Sequence, residues 1–156
     1  NQNKAFTTGT ITANTVNQVY ASLSTITASG TLSIDLTTFT NVVNLAAASF
    51  ARVKWVRVRL LATAQTAADG STVGTACTHI TLGASGANDF ISTSSGRGWL
   101  GGATHTIVIP NGGSVLFETS GATGVLVDAT HKVFLITNGD AGVSAIVETV
   151  IGGADA

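Results

Sequence analysis

The clearest pattern along the chain is alternation. Leu32, Ile34 and Leu36 alternate with Ser33 and Asp35, the period-two signature of a half-buried strand. The strongest element is 52–64. Its apolar residues stand at odd positions through Val53 and Trp55, then at even positions through Val56, Val58, Leu60 and Ala62, with Arg57 and Arg59 on the other face. Strand side chains alternate between faces, so this change of phase predicts a β-bulge near Trp55–Val56, or a strand that passes between sheets there.

Further strands are expected over 75–83, 104–110, 114–119, 131–137 and 143–151. Asp69-Gly70, Asn111-Gly112 and Asn138-Gly139 fall between successive strands. Such pairs supply the positive φ values of tight turns, so they predict three hairpins. Pro110, the only proline, ends its strand at a turn, where its missing N–H costs nothing. Residues 40–50 read as the one short helix, which only packing would hold. Residues 1–30 have isolated apolar positions without a clean period and are expected to form an N-terminal arm or weak edge strands. Residues 31–156 then form a single domain. Seven to nine strands joined by short turns imply an all-β fold. An antiparallel β-sandwich of jelly-roll type is favoured over a small barrel.

Composition narrows the function. Of the 156 residues only 10% are charged, against about 25% in an ordinary domain, while hydrophobic residues make up 44%. Thr, Ser, Asn and Gly take the place of the missing charges, and the formal net charge is −1. Near-zero charge favours association between copies. The absence of a basic footprint argues against a nucleic-acid partner. Mean hydropathy is +0.41, yet no apolar run approaches the roughly 18 residues of a membrane helix, so no membrane partner is expected. No signal segment opens the chain, which begins at Asn1 rather than Met, and the compartment stays open. Cys77 is the single cysteine and is expected to be a small buried hydrophobe.

Chemical motifs are sparse in the chain. Gly96-Arg97-Gly98-Trp99-Leu100-Gly101 matches a dinucleotide-binding string. It lacks the preceding strand and following helix that place a pyrophosphate at a helix N-terminus, so no cofactor is expected. His79, His105 and His131 each follow a Thr and open an apolar strand, and each stands 26 positions after the last. The spacing is either a degenerate three-unit repeat or a coincidence in a Thr-rich chain. The histidines would make a metal site only by converging on one rim, and none is expected. No nucleophile elbow, zinc-protease helix or Cys-x-x-Cys pair occurs, and the chain is read as a non-enzyme.

Candidate interface residues remain. The segment 85–103 is long and glycine-rich yet carries Phe90, Ile91, Trp99 and Leu100, together with Arg97. Either it folds back to cap the sandwich or it anchors a partner. Arg57 and Arg59 form a patch for an acidic partner or lie on a solvated strand face. Tyr20 is a further aromatic candidate. With low charge, abundant Thr, Ala and Gly, no Met, an apolar N-terminal region and the ending Val133-Phe134-Leu135-Ile136-Thr137-Asn138-Gly139, the chain resembles the small all-β capsid decoration or cement proteins of tailed-phage particles. That resemblance implies a virion protein that forms homotrimers and docks on a major capsid or other lattice protein through its N-terminal arm and apolar loop. The alternative is an extracellular or cell-surface module that binds carbohydrate or mediates adhesion, with Trp99, Trp55 and Tyr20 as stacking platforms.

Overall fold

A computed structural model of the chain describes residues 16–62, 65–66, 72–73, 76–83, 89–91, 99–100, 102, 104–119 and 124–155. In chain order the strands are β1 (Gln18–Ile26), β2 (Thr31–Asp35), β3 (Phe39–Thr40), β4 (Ala47–Ala48), β5 (Arg52–Leu60), β6 (Gln65–Thr66) and β7 (Thr72–Val73). They continue with β8 (His79–Gly83), β9 (Thr106–Pro110), β10 (Ser114–Glu118), β11 (Val125–Leu126), β12 (Val133–Asn138) and β13 (Ala145–Ala154). Eight of these have five or more residues, and among the described residues there is no helix.

Two antiparallel sheets share one hydrophobic core. The first runs β1-β13-β5-β10, with β11 also paired to β5, and the second runs β2-β12-β8-β9. Alternation decides which side chains enter the core. β13 buries Ala145, Val147, Thr149 and Ile151, and β5 buries Val56, Val58 and Leu60. From the facing sheet come Phe134 and Ile136 of β12, Ile80 and Leu82 of β8, and Ile34 of β2. Each such side chain contributes about 1.5–3 kcal/mol relative to exposure, which is what clamps the sheets together.

The bulge expected in β5 is present, one residue earlier. Trp55 opposes Gly152 while Val53 opposes Gly153, so Lys54 is the extra residue. The Trp55 indole lies so close over β13 that a Cβ at Gly152 would come within 2.4 Å of its ring. Only glycine fits beneath it.

Two expectations fail. The Asn111-Gly112 turn forms where expected, with Gly112 at φ +72°, and β12 ends at Asn138 before Gly139, but the strands these pairs join do not pair with each other. Asn111-Gly112 carries the chain from β9 in one sheet to β10 in the other, and Asn138-Gly139 carries it from β12 to β13. These are crossovers rather than hairpins. Turn chemistry specifies a reversal of direction, whereas the buried faces of the flanking strands decide whether they share a sheet. Asp69-Gly70 lies outside the described residues. The short strands beside it, β6 and β7, do pair, yet the long strands they connect again belong to different sheets.

The helix expected over 40–50 is instead a small β-ribbon, with Phe39 opposite Ala48 and Thr40 opposite Ala47. Asn41 Oδ1 accepts the Val43 N–H at 2.9 Å and Asn44 Oδ1 accepts the Ala46 N–H at 3.1 Å. These local bonds offer the backbone a turn in place of a helix. Phe39 and Phe50, stacked with centroids 4.3 Å apart, pin both ends of the ribbon to the core.

Candidate functional site

The described parts of the long glycine-rich segment, 89–91 and 99–100, pack on the core of the sandwich. Phe90 and Ile91 are fully buried, which corrects their expected role as interface residues: they are core. Trp99 is half-buried, stacked on Phe117 at 5.2 Å and edge-on to Phe90 at 5.4 Å. Leu100 is half-buried against the same core, and its N–H bonds the Ile91 carbonyl at 3.1 Å. The two ends of the loop therefore hold each other, and Trp99 and Leu100 spend most of their apolar surface inside the molecule. Arg97 lies outside the described residues.

Arg57 and Arg59 are exposed on the outer face of the first sheet. Register places Arg59 between Glu148 and Ser114, and Arg57 between Val150 and Leu116. The face is mixed, with Leu116 59% exposed beside the arginines. At the bulge, desolvation lowers the Lys54 pKa, and the charge of Arg52 adds to the effect.

The three histidines do not share a rim. β8 pairs antiparallel with β9 and with β12, placing His79 opposite Pro110 and Ile80 opposite Asn138. His79 thus lies at the end of the sheet where β9 and β12 finish, whereas His105 and His131 precede the starts of those strands. Each imidazole is engaged locally. His79 Nδ1 lies 2.9 Å from Thr78 Oγ1, His105 Nδ1 lies 2.6 Å from the Leu100 carbonyl, and His131 Nδ1 lies 3.0 Å from Asp128 Oδ1. Hydrogen bonds donated by Thr130, aided by His131, bring the Asp128 carboxyl down to about 2. Among the described residues no group of three or more His, Cys, Asp or Glu is placed to hold a metal.

Cys77 is buried. Its thiol donates to the His79 carbonyl at 3.3 Å and to Asn138 Oδ1 at 3.2 Å. Desolvation raises its pKa, and the nearby Asp140 carboxylate adds to the rise. Asn138, 1% exposed, is the centre of a polar knot. Its amide donates to the carbonyls of Ile26, Thr27 and Val143, and its Oδ1 also accepts the Asp140 N–H. The knot ties the β1–β2 turn to the β12–β13 crossover and is structural.

The features that remain converge on one side of the molecule, where β1 and β2 form the edges of their sheets. A cleft of about 450 Å³ opens there, lined among others by Tyr20, Ser22, Ser33, Asp35, Thr38 and Phe39. Tyr20 meets Phe39 edge-on at 6.0 Å. Asp35 accepts from Thr37 N–H and Oγ1 at 2.8 and 2.6 Å and pairs with Lys132 at 3.2 Å. Desolvation alone would raise its pKa, but the bonds from Thr37 and Lys132 outweigh it and hold the carboxyl below the usual range. Ser22 Oγ is buried without a hydrogen-bond partner, as is Thr149 Oγ1, its neighbour across the β1–β13 pair.

Beside the cleft stands the tip of the β3–β4 ribbon. It is apolar and exposed: Val43 is 68% and Leu45 79% accessible, and Leu45 takes φ +57°. The ribbon is anchored to β1 by the Val42 N–H to the Val19 carbonyl at 3.0 Å. Farther along β1, Leu23 is 68% exposed. Of the candidates drawn from the sequence that fall among the described residues, only Tyr20 belongs to this site. Val42, Val43, Leu45 and Leu23 were missed. The first three sat in the supposed helix, and Leu23 stood in a stretch whose inward face carries Ser22 and Ser24 in place of apolar residues. Comparison with protein-family models, with curated proteins and with solved structures finds no match.

Proposed function

We propose that this chain is a structural subunit of a large assembly, of the capsid decoration or cement kind, acting by self-association and by docking on a lattice protein in a virion. The observation that carries the reading is the exposed apolar surface on the β1–β2 side, Val42, Val43 and Leu45 at the ribbon tip with Leu23 on β1. Scattered apolar residues on a surface are ordinary, but a protruding apolar tip in a chain of net charge −1 is the kind of patch that partners cover. The strand order supports a jelly-roll form of the sandwich. Taking the eight long strands in chain order, one sheet holds the first, eighth, third and sixth, and the other the second, seventh, fourth and fifth. Two interlocked Greek keys generate this order. Light scattering behind a sizing column tests the reading: a discrete oligomer is expected, and a monomer at every concentration would refute self-association.

A second reading rests on the cleft. Tyr20, Asp35 and Ser33 offer a stacking surface and polar groups suited to a sugar. On this reading the chain is a carbohydrate-binding or adhesion module. Calorimetric titration with a glycan panel should then give heat that Tyr20→Ala abolishes. Silence across the panel would dispose of it.

A further inference from the structure

Of the long edge strands, three are protected against pairing with another chain. β2 ends in Asp35, paired with Lys132; β9 ends in Pro110, which has no N–H; β10 ends in the charged Glu118. Charges and prolines at edges are how sheets avoid unwanted partners. β1 has neither. It is nine residues long, Gln-Val-Tyr-Ala-Ser-Leu-Ser-Thr-Ile, without charge or proline.

The hydrogen-bond phase of β1 identifies its open groups. Along an antiparallel edge strand, alternate residues turn both their N–H and C=O toward the neighbour or away from it. The Val19 carbonyl accepts from Val42, and its N–H donates to Asn41 Oδ1 at 3.4 Å, so Val19 faces away from β13. By phase, Ala21, Leu23 and Thr25 also face away. The ribbon covers Val19, and no hydrogen bond among the described residues occupies the other three. The open window is thus Ala21–Thr25, with Leu23 at its centre.

We propose that this window pairs antiparallel with the same window of a second copy, about a two-fold axis at Leu23. The proposal rests on the self-association reading above and names its surface. A window centred on one residue is self-complementary under two-fold rotation: Leu23 meets Leu23 of the second copy, and Ala21 meets Thr25 of the second copy. About six main-chain hydrogen bonds close the gap, joining the two first sheets into one continuous sheet. The absence of charge on β1 lets a copy approach without repulsion. The Leu23 side chains, outward and mostly exposed, lie side by side across the axis. Each ribbon tip abuts the end of the partner strand, which blocks sliding to another register.

The test combines mass with register. Wild type, Leu23→Lys and Leu116→Lys are compared by light scattering over a concentration series, with thermal melts to show that all three fold. Wild type and L116K are expected to reach twice the monomer mass, and L23K to remain monomeric with an unchanged melt. In parallel, Leu23→Cys and Ala21→Cys are mildly oxidised. L23C should give a covalent dimer, since directly opposed Cα atoms lie about 5.5 Å apart, within disulfide reach. A21C should not, because its copies stand four residues out of step, about 13 Å apart. An oligomer unaffected by L23K, a trimer, or equal cross-linking by A21C would overturn the pairing while leaving the assembly reading intact. A wild-type monomer throughout would overturn both.

Discussion

Asn138→Ala tests the polar knot that holds the crossovers in place. The side chain is 1% exposed and engages five groups: the Ile26 carbonyl at 3.2 Å, that of Thr27 at 3.0 Å, that of Val143 at 2.7 Å, the Asp140 N–H at 2.9 Å and the Cys77 thiol at 3.2 Å. Truncation removes every bond at once. A buried polar group left unpaired costs about 1–3 kcal/mol. Thr27 is exposed and Asp140 half-exposed, so water can replace their bonds, which leaves two or three groups stranded. The expected loss is about 3–5 kcal/mol, or roughly 10 °C in Tm for a domain of this size. Differential scanning calorimetry at neutral pH measures it. Asn138→Asp separates hydrogen bonding from cavity formation. It keeps the volume but sets a carboxylate against three carbonyls, so it should be at least as unstable as N138A at pH 7. That carboxyl's pKa would be raised in the folded state, so its deficit should shrink as acid protonates it and restores a donor. An N138A melt within about 3 °C of wild type would refute the knot as a stabilising element.

Thr149→Val replaces a buried hydroxyl that has no partner by a methyl of the same shape, and should stabilise the fold by about 1 kcal/mol, read as a rise in denaturant midpoint at constant m. Cys77 should be silent to thiol reagents in the folded protein, because desolvation raises its pKa and burial blocks access; full labelling in strong denaturant is the positive control. Asp128, Asp140 and Asp35 all have depressed carboxyl pKa values, through hydrogen bonds from Thr130 for Asp128 and from Gly142 and Thr78 for Asp140, and for Asp35 through bonds that outweigh desolvation. Depressed acids stabilise the fold above their unfolded pKa and lose that contribution as pH falls through the folded one. The Tm should therefore be flat from pH 7 to about 5 and decline from about 4 toward 2, and D128N should flatten the lower part of that decline.

Alternation made the strands legible, and the phase break in 52–64 located the bulge to within one residue, because a change of buried face has few other causes. The burial of Cys77 followed from its place at the start of an apolar strand. Pairing was not legible. Asn111-Gly112 is a turn in either case, and nothing local to it or to Asn138-Gly139 distinguishes a hairpin from a step between sheets. The 40–50 ribbon was misread because its alanines favour a helix, while the deciding contacts are Asn41 and Asn44 on their own backbone and Phe39 on Phe50. The candidate site was illegible for a related reason. Its cleft and free edge are made by β1, β2 and the ribbon together, and its most exposed apolar residues look like core in one dimension. Phe90 and Ile91 err in the opposite direction: a loop in sequence, they complete the core in space.

The pairing of β1 with β13, Gln18 opposite Gly153 through Ile26 opposite Ala145, has a kinetic consequence. β13 lies between β1 and β5 in the first sheet, so two of its strands have no neighbour in common until β13 has been synthesised. Nearly every other contact of that sheet also joins distant segments, so little can form early. A chain wired in this way folds late and slowly, in the millisecond-to-second range of non-local β topologies. Until then its uncharged first strand is open along both edges, and the nascent protein, more than the finished one, depends on being kept apart from its copies.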